Sequence, residues 1–148
     1  MKQVKSVSLL VLAMVLAVGF ASCSDDEEVL QWNELPGTWE CISEKGYVYF
    51  KDYPERCNEW NNENPRLLGT IAVFRSDGTV KFNASESEWI LKDNLLTLIH
   101  PHLGSPLEIA YTVLKLSSDK LILEEFNTGG EDDYTWRYWN NLTFQKVK

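Results

Sequence analysis

Alternate connections in this chain are tight turns, and that alternation restricts the fold more than any single motif. Beyond the first 22 residues no segment sustains a helical repeat. Short runs rich in β-branched and aromatic residues recur instead, bounded by turn residues. The pattern predicts strands over about Thr38–Phe50, Leu68–Arg75, Thr79–Asn83, Glu88–Lys92, Leu95–His100, Leu107–Leu116, Lys120–Phe126 and Tyr134–Lys146. Asp77-Gly78, Asp93-Asn94 and Ser117-Ser118-Asp119 are hairpin-type turns. Between them lie longer connections, at about 51–67, 101–106 and 127–133, with a short link after Asn83 as the exception. Eight strands joined in succession make a meander. At this length a closed meander is an all-β, eight-stranded antiparallel up-and-down barrel, which has no free edges. One end is then stitched by tight turns and the other is open and loop-rich.

Period-2 alternation indicates the inward face. The last strand aligns Tyr134, Trp136, Tyr138, Leu142 and Phe144 on one side; the sixth aligns Leu107, Ile109, Tyr111 and Val113. Val80 and Phe82, then Trp89 and Leu91, extend the set. The second and seventh strands are apolar on both faces, so their orientation stays open. Six Trp, six Tyr and six Phe supply enough bulk for one core, and 148 residues suit one domain rather than two.

Residues 1–22 read as an export signal. Lys2 and Lys5 form a positive start, and residues 7–21 are apolar apart from Ser8 and Gly19. A membrane span needs about 20 apolar residues, so this run fits a secretory signal better. It ends in Phe20-Ala21-Ser22-Cys23, which resembles a bacterial lipobox and implies a diacylglycerol on Cys23. Ordinary signal cleavage and a plain membrane anchor are the alternatives. Ser24-Asp25-Asp26-Glu27-Glu28 follows within a 23–34 tether. Like charges extend such a segment. The same run resembles the acidic signal of surface-exposed lipoproteins in some Gram-negative bacteria, implying an outer-membrane anchor with the domain facing outward. Without residues 1–22 the chain carries 12 basic and 22 acidic side chains, a net −10. That charge disfavours nucleic acid, whose affinity rests on Lys and Arg.

At the start of the first strand, Gly37-Thr38-Trp39 is similar to the Gly-x-Trp signature of lipocalins. With Phe74-Arg75-Ser76-Asp77-Gly78-Thr79 and Tyr111-Thr112-Val113-Leu114-Lys115-Leu116-Ser117, the 35–148 region resembles bacterial lipocalin-like domain lipoproteins. The resemblance implies that Trp39 plugs the stitched end with a late cation stacked on it. Antiparallel geometry selects Lys146 for that role, because Arg137 is about 30 Å further up the strand at ~3.3 Å per residue.

Candidate site residues belong to the open end. Tyr111, Trp89 and Trp136 are assigned to a cavity lining, and Tyr53 and Trp60 to its mouth. The long connection at 51–67, with Tyr53, Trp60 and Arg66, either grips a ligand or covers a small cluster of its own. Cys41 and Cys57 form an even pair once Cys23 is acylated, and an oxidising compartment favours a disulfide. Such a bond closes a loop of roughly 15 residues and contributes about 3 kcal/mol in the chain-entropy picture. Two free thiols are the alternative, because Cys41 shares the inward face of Trp39. His100-Pro101-His102 either holds a metal or a ligand acid or is simply solvated, with no third ligand assured for a metal. Glu131-Asp132-Asp133 lacks the spacing of a calcium loop. No nucleophile elbow, phosphate loop or dinucleotide fingerprint occurs.

These features describe a non-enzymatic, surface-anchored lipoprotein without a cofactor or bound metal, whose barrel takes a small apolar or amphipathic ligand. The second reading is a structural or interaction lipoprotein with a filled barrel and a loop that contacts a protein partner.

Overall fold

The computed structural model describes residues 30–102, 104–130 and 135–148. Nine strands are present there: β1 (Gly37–Phe50), β2 (Asn58–Trp60), β3 (Ile71–Phe74), β4 (Thr79–Phe82), β5 (Ser85–Lys92), β6 (Leu95–His100), β7 (Leu107–Leu116), β8 (Lys120–Gly129) and β9 (Trp136–Lys146). All pair antiparallel, and β1 pairs with β9 to close an eight-stranded barrel. The eight expected strands are there with ends shifted by a few residues. The ninth, β2, lies within the 51–67 connection, where a three-residue run is too short to leave a periodic signal.

Strand β1 meets different neighbours along its two edges. One edge pairs with β9 from Trp39↔Lys146 to Phe50↔Trp136. The other pairs with β3 only over Gly37–Glu40, and with β2 over Gly46–Val48. β7 and β8 likewise pair only from Thr112↔Glu124 to Leu116↔Leu121. The barrel is thus closed at its stitched end, while the upper halves of β2, β1, β9 and β8 continue as a four-stranded sheet.

Two bulges preserve inward packing. Between Cys41 and Ser43 the β1–β9 register slips, so Ile42 points outward and both Cys41 and Glu44 point in. A second slip between Val113 and Lys115 turns Leu114 outward and Leu116 in. Bulges place two residues against one and so reset the period-2 code. The strands that were apolar on both faces are oriented by burial: Ala72, Phe74, Leu121 and Leu123 are inside.

Trp39, Leu96, Leu98, Leu121, Leu123, Leu142 and Phe144 fill the stitched half, each at most 2 % exposed. Trp39 forms the floor, and its indole N–H donates to the Leu35 carbonyl at 2.8 Å. Lys146 Nζ lies 5.0 Å from the Trp39 ring and donates to the Glu34 carbonyl at 2.7 Å. Gly37 makes room for that lysine: its φ is +144°, and a Cβ there would lie 2.6 Å from Lys146 Cε. Beside this floor the Asp77 carboxylate accepts from the Thr79 N–H at 2.9 Å and from its hydroxyl at 2.7 Å. Those bonds hold its pKa below the ordinary value.

Trp39→Ala is expected to lower the unfolding free energy by about 3–5 kcal/mol, the usual cost of deleting a buried aromatic. Lys146→Met should cost about 1 kcal/mol through the lost cation–π contact. Urea unfolding followed by circular dichroism measures both. A loss below about 1 kcal/mol for Trp39→Ala would show that the floor is not anchored by this ring.

Candidate functional site

The open end is closed by its own connection. After the short helical turn Pro54–Arg56, β2 pairs with the top of β1 and carries Trp60 over Gly46. A Cβ at Gly46 would lie 2.6 Å from the Trp60 ring and 2.5 Å from the Trp139 carbonyl, so glycine is required by close approach rather than by a bend. Trp60 is 3 % exposed. Its indole N–H donates to Asn140 Oδ1 at 3.0 Å, its ring is 5.5 Å from that of Tyr138, and the Arg66 guanidinium lies 4.5 Å above it.

Glu44 ties the rest of the connection down. Its Oε2 accepts from the backbone N–H groups of Arg66 at 2.8 Å and Leu67 at 2.6 Å. Its own N–H donates to Asn62 Oδ1 at 2.7 Å, and Asn62 Nδ2 donates to Ser43 Oγ at 3.2 Å. Further on, the Gly69 N–H donates to the Cys41 carbonyl at 2.8 Å and the Cys41 N–H to the Thr70 carbonyl at 2.9 Å. Glu44 is 1 % exposed, and Oε1 has no hydrogen-bond partner among the described residues. A buried carboxylate accepting amide bonds is a strong tether, because each charge-assisted bond contributes more than a neutral one.

Polar groups extend across the upper interior. Burial is the main cause that raises the Tyr111 hydroxyl pKa, with the Glu125 and Tyr138 charges adding to it. Burial also raises Glu125 and Tyr138; Arg66 opposes the shift at both. On the other wall His100 Nδ1 and Ser87 Oγ are 2.6 Å apart as an inward cross-strand pair. Among the described residues no group of three or more His, Cys, Asp or Glu is placed to hold a metal ion.

The five aromatic candidates do not share one cavity. Trp60 and Tyr111 are buried in the upper interior. Trp89 lies at the stitched end, where its indole N–H donates to the Arg75 carbonyl at 3.1 Å and its ring sits edge-on to Phe74. Trp136 is half-buried at the opposite end of the barrel, against Gly129. Tyr53 is 54 % exposed on the connection, with Arg56 5.6 Å from its ring. Cys23 and Glu131-Asp132-Asp133 lie outside the described residues, as does Tyr134.

The disulfide between Cys41 and Cys57 does not form; both thiols are free. Cys57 sits at the top of β1, where the Phe50 N–H points to its Sγ at 3.2 Å. Cys41 is buried nine residues lower on that strand, roughly 30 Å away at ~3.3 Å per residue and far beyond a bridgeable separation. Burial, with the Glu44 charge adding, pushes the Cys41 thiol up to about 11.

Glu44 and Asn140 were not singled out from sequence, whereas Arg66 was named with the 51–67 connection. Asn140 lies on the same alternating face as Tyr138 and Leu142, so its inward direction was legible. Glu44 had no such signal, because the bulge at Ile42 reverses its parity.

Two clefts lie outside the barrel axis. One, of about 680 Å³, runs beside β1 and β2 and is lined by Tyr47, Tyr49, Glu59 and Arg137 among others. The other, of about 590 Å³, lies along β4–β6 against Pro101 and Pro106. No known protein family matches the chain, and comparison with curated proteins finds no relative.

Two outcomes are expected. At pH 8 a thiol reagent should modify Cys57 in the native protein and reach Cys41 only after unfolding, as thiol counting with and without denaturant will show; zero reactive thiols in denaturant would restore the disulfide. Glu44→Ala should cost about 2–4 kcal/mol and release the connection, detected as cleavage within residues 51–67 by limited proteolysis. Unchanged protease resistance would remove Glu44 as the tether.

Proposed function

We propose that this chain is a non-catalytic binding module whose filled, lipocalin-like barrel is a scaffold for surfaces on its outside. The observation that carries this reading is the packed interior. Seven large side chains occupy the stitched half, and Trp60 with its Glu44-bound connection occupies the open half. An apolar ligand needs a concave site largely formed in advance, whereas entry here requires undoing the Trp60–Asn140 hydrogen bond and the two that hold the connection to Glu44. Both clefts open outward.

The leader supports placing the module at the outer membrane. Cys23 is the proposed acylation site, and the acidic 24–28 run holds the domain away from the lipid on the cell surface. Acyl chains carry such an anchor at about 0.8 kcal/mol per buried methylene. The net −10 beyond residue 22 supports partners other than nucleic acid.

One observation favours a second reading, an amphipathic ligand held inside the upper barrel. Glu44 Oε1 is buried without a hydrogen-bond partner among the described residues, and the Arg66 charge acts on Tyr138 and Glu125 in the same upper interior. In that reading Trp60 is displaced when ligand enters.

Titration of residues 24–148 with N-phenyl-1-naphthylamine, read by probe and tryptophan fluorescence, separates the two. The scaffold reading expects no saturable signal. A saturable enhancement that Trp60→Ala alters would overturn it in favour of the interior ligand.

A further inference from the structure

The upper sheet carries its most unusual surface on the side facing away from the barrel. Register places Glu59, Tyr47, Trp139 and Phe126 in one row across β2, β1, β9 and β8. The next row up holds Tyr49, Arg137 and Thr128, and the row below holds Lys45, Asn141 and Glu124. Lower on the same strands the outward residues turn mostly polar: Ser43, Glu40, Thr143, Gln145 and Lys120. Aromatic rings are therefore gathered on one end of one face.

These rings are accessible and held in place. Phe126 is 56 % exposed and Tyr49 46 %, while Tyr47 and Trp139 are half-buried. Tyr47 and Trp139 stand 5.8 Å apart with planes inclined by 31°. Trp139 is fixed from its edge, where the indole N–H donates to Glu124 Oε2 at 3.0 Å, and Lys45 Nζ lies 5.4 Å from its ring. The row runs on into the 680 Å³ cleft between Tyr47, Tyr49, Glu59 and Arg137.

The chemistry of this face selects its occupant. An exposed patch of this kind marks an interaction site; the three rows contain no aliphatic side chain, and Val48 alone among the residues lining the cleft is aliphatic. Protein interfaces are themselves rich in Tyr, Trp, Phe and Arg, so the occupant is chosen by the border of the patch: here flat rings are bordered directly by hydrogen-bonding groups. A pyranose ring matches that arrangement, with a C–H face that lies on an aromatic ring and a rim of hydroxyls that both donate and accept. Two acids, Glu59 and Glu124, and two bases, Lys45 and Arg137, border the patch, so it favours neither a cationic nor an anionic polymer. The net charge of −8 adds repulsion against acidic chains.

We propose that the outward row Tyr47–Trp139–Phe126, continued by Tyr49 and the cleft beside Arg137, is a binding platform for neutral polysaccharide. The inference deepens the scaffold reading and rests on it, since it places binding outside a filled barrel.

Native-gel electrophoresis of the full chain, in a detergent without a sugar head group, tests the platform. The gels contain galactomannan, mixed-linkage β-glucan, arabinoxylan or pullulan, with polygalacturonate as the acidic comparison. At least one neutral polymer should retard the protein. Phe126→Ala and Trp139→Ala should each weaken that retardation roughly tenfold, the loss of one well-placed aromatic contact. Ile90→Ala, on another part of the surface, should leave it unchanged. Phe126 is exposed enough that its truncation spares the fold, and Trp139→Phe keeps a stacking ring and should retain most of the binding. The proposal is overturned if no neutral polymer retards the chain, if only polygalacturonate does, or if both alanine variants bind normally. A concentration-dependent dimer that Phe126→Ala dissolves, seen by sedimentation, would assign the face to a second copy instead. A chain that ignores every polysaccharide yet excludes the naphthylamine probe overturns the platform alone; uptake of the probe overturns the scaffold reading beneath it.

Discussion

The pairing of β1 with β9 is the constraint on which the molecule depends. It closes the barrel over eleven register pairs, against four between β1 and β3. That inequality leaves the upper edge of β1 exposed, and an unpaired strand edge is a standing template for association. Three residues of the following connection, Asn58–Trp60, cover part of it as β2. The strand that covers the edge also delivers Trp60 to the mouth, so satisfying the backbone of β1 and plugging the barrel are one event.

The two ends of the barrel are sealed by different physics. At the stitched end the seal is apolar, with Trp39 packed on Phe144 and its neighbours and Lys146 laid across it. At the open end it is polar, with Glu44 and Asn140 binding Asn62, Trp60, Arg66 and Leu67 of the connection through backbone and side-chain hydrogen bonds. Apolar packing is non-directional and tolerates rearrangement, whereas each buried polar group must find its partner. The open end is accordingly the more specific of the two, and the place where one substitution frees the most chain.

With Trp39 and Trp60 buried at its two ends, the surface of the barrel gains importance. Among the described residues the upper sheet is aromatic on both faces: Trp60, Trp136 and Tyr138 inside, Tyr47, Tyr49, Phe126 and Trp139 outside. A strand buried on one face alone alternates apolar and polar residues. The departure from alternation at the top of β1, β8 and β9 thus separates the aromatics needed for packing from those that packing does not explain.

Strand count, turn positions, the all-β class and the role of the first strand were legible because each rests on local signals: period-2 alternation, Asx and glycine turns, and a glycine beside a tryptophan. The last strand illustrates this, for its alternation already directed Leu142 and Phe144 inward. What the local pattern could not carry were the two register slips, since a bulge depends on how long the partner strand is. Glu44 and the fate of Cys41 followed from the slip at Ile42 and from the distance along β1 to Cys57. Whether the barrel is hollow also lay beyond local pattern. Trp60 reads equally as a ligand clamp or a plug until β2 is seen to pair with β1, because that choice is made by the edge β3 leaves uncovered, a contact between segments that are far apart in the chain.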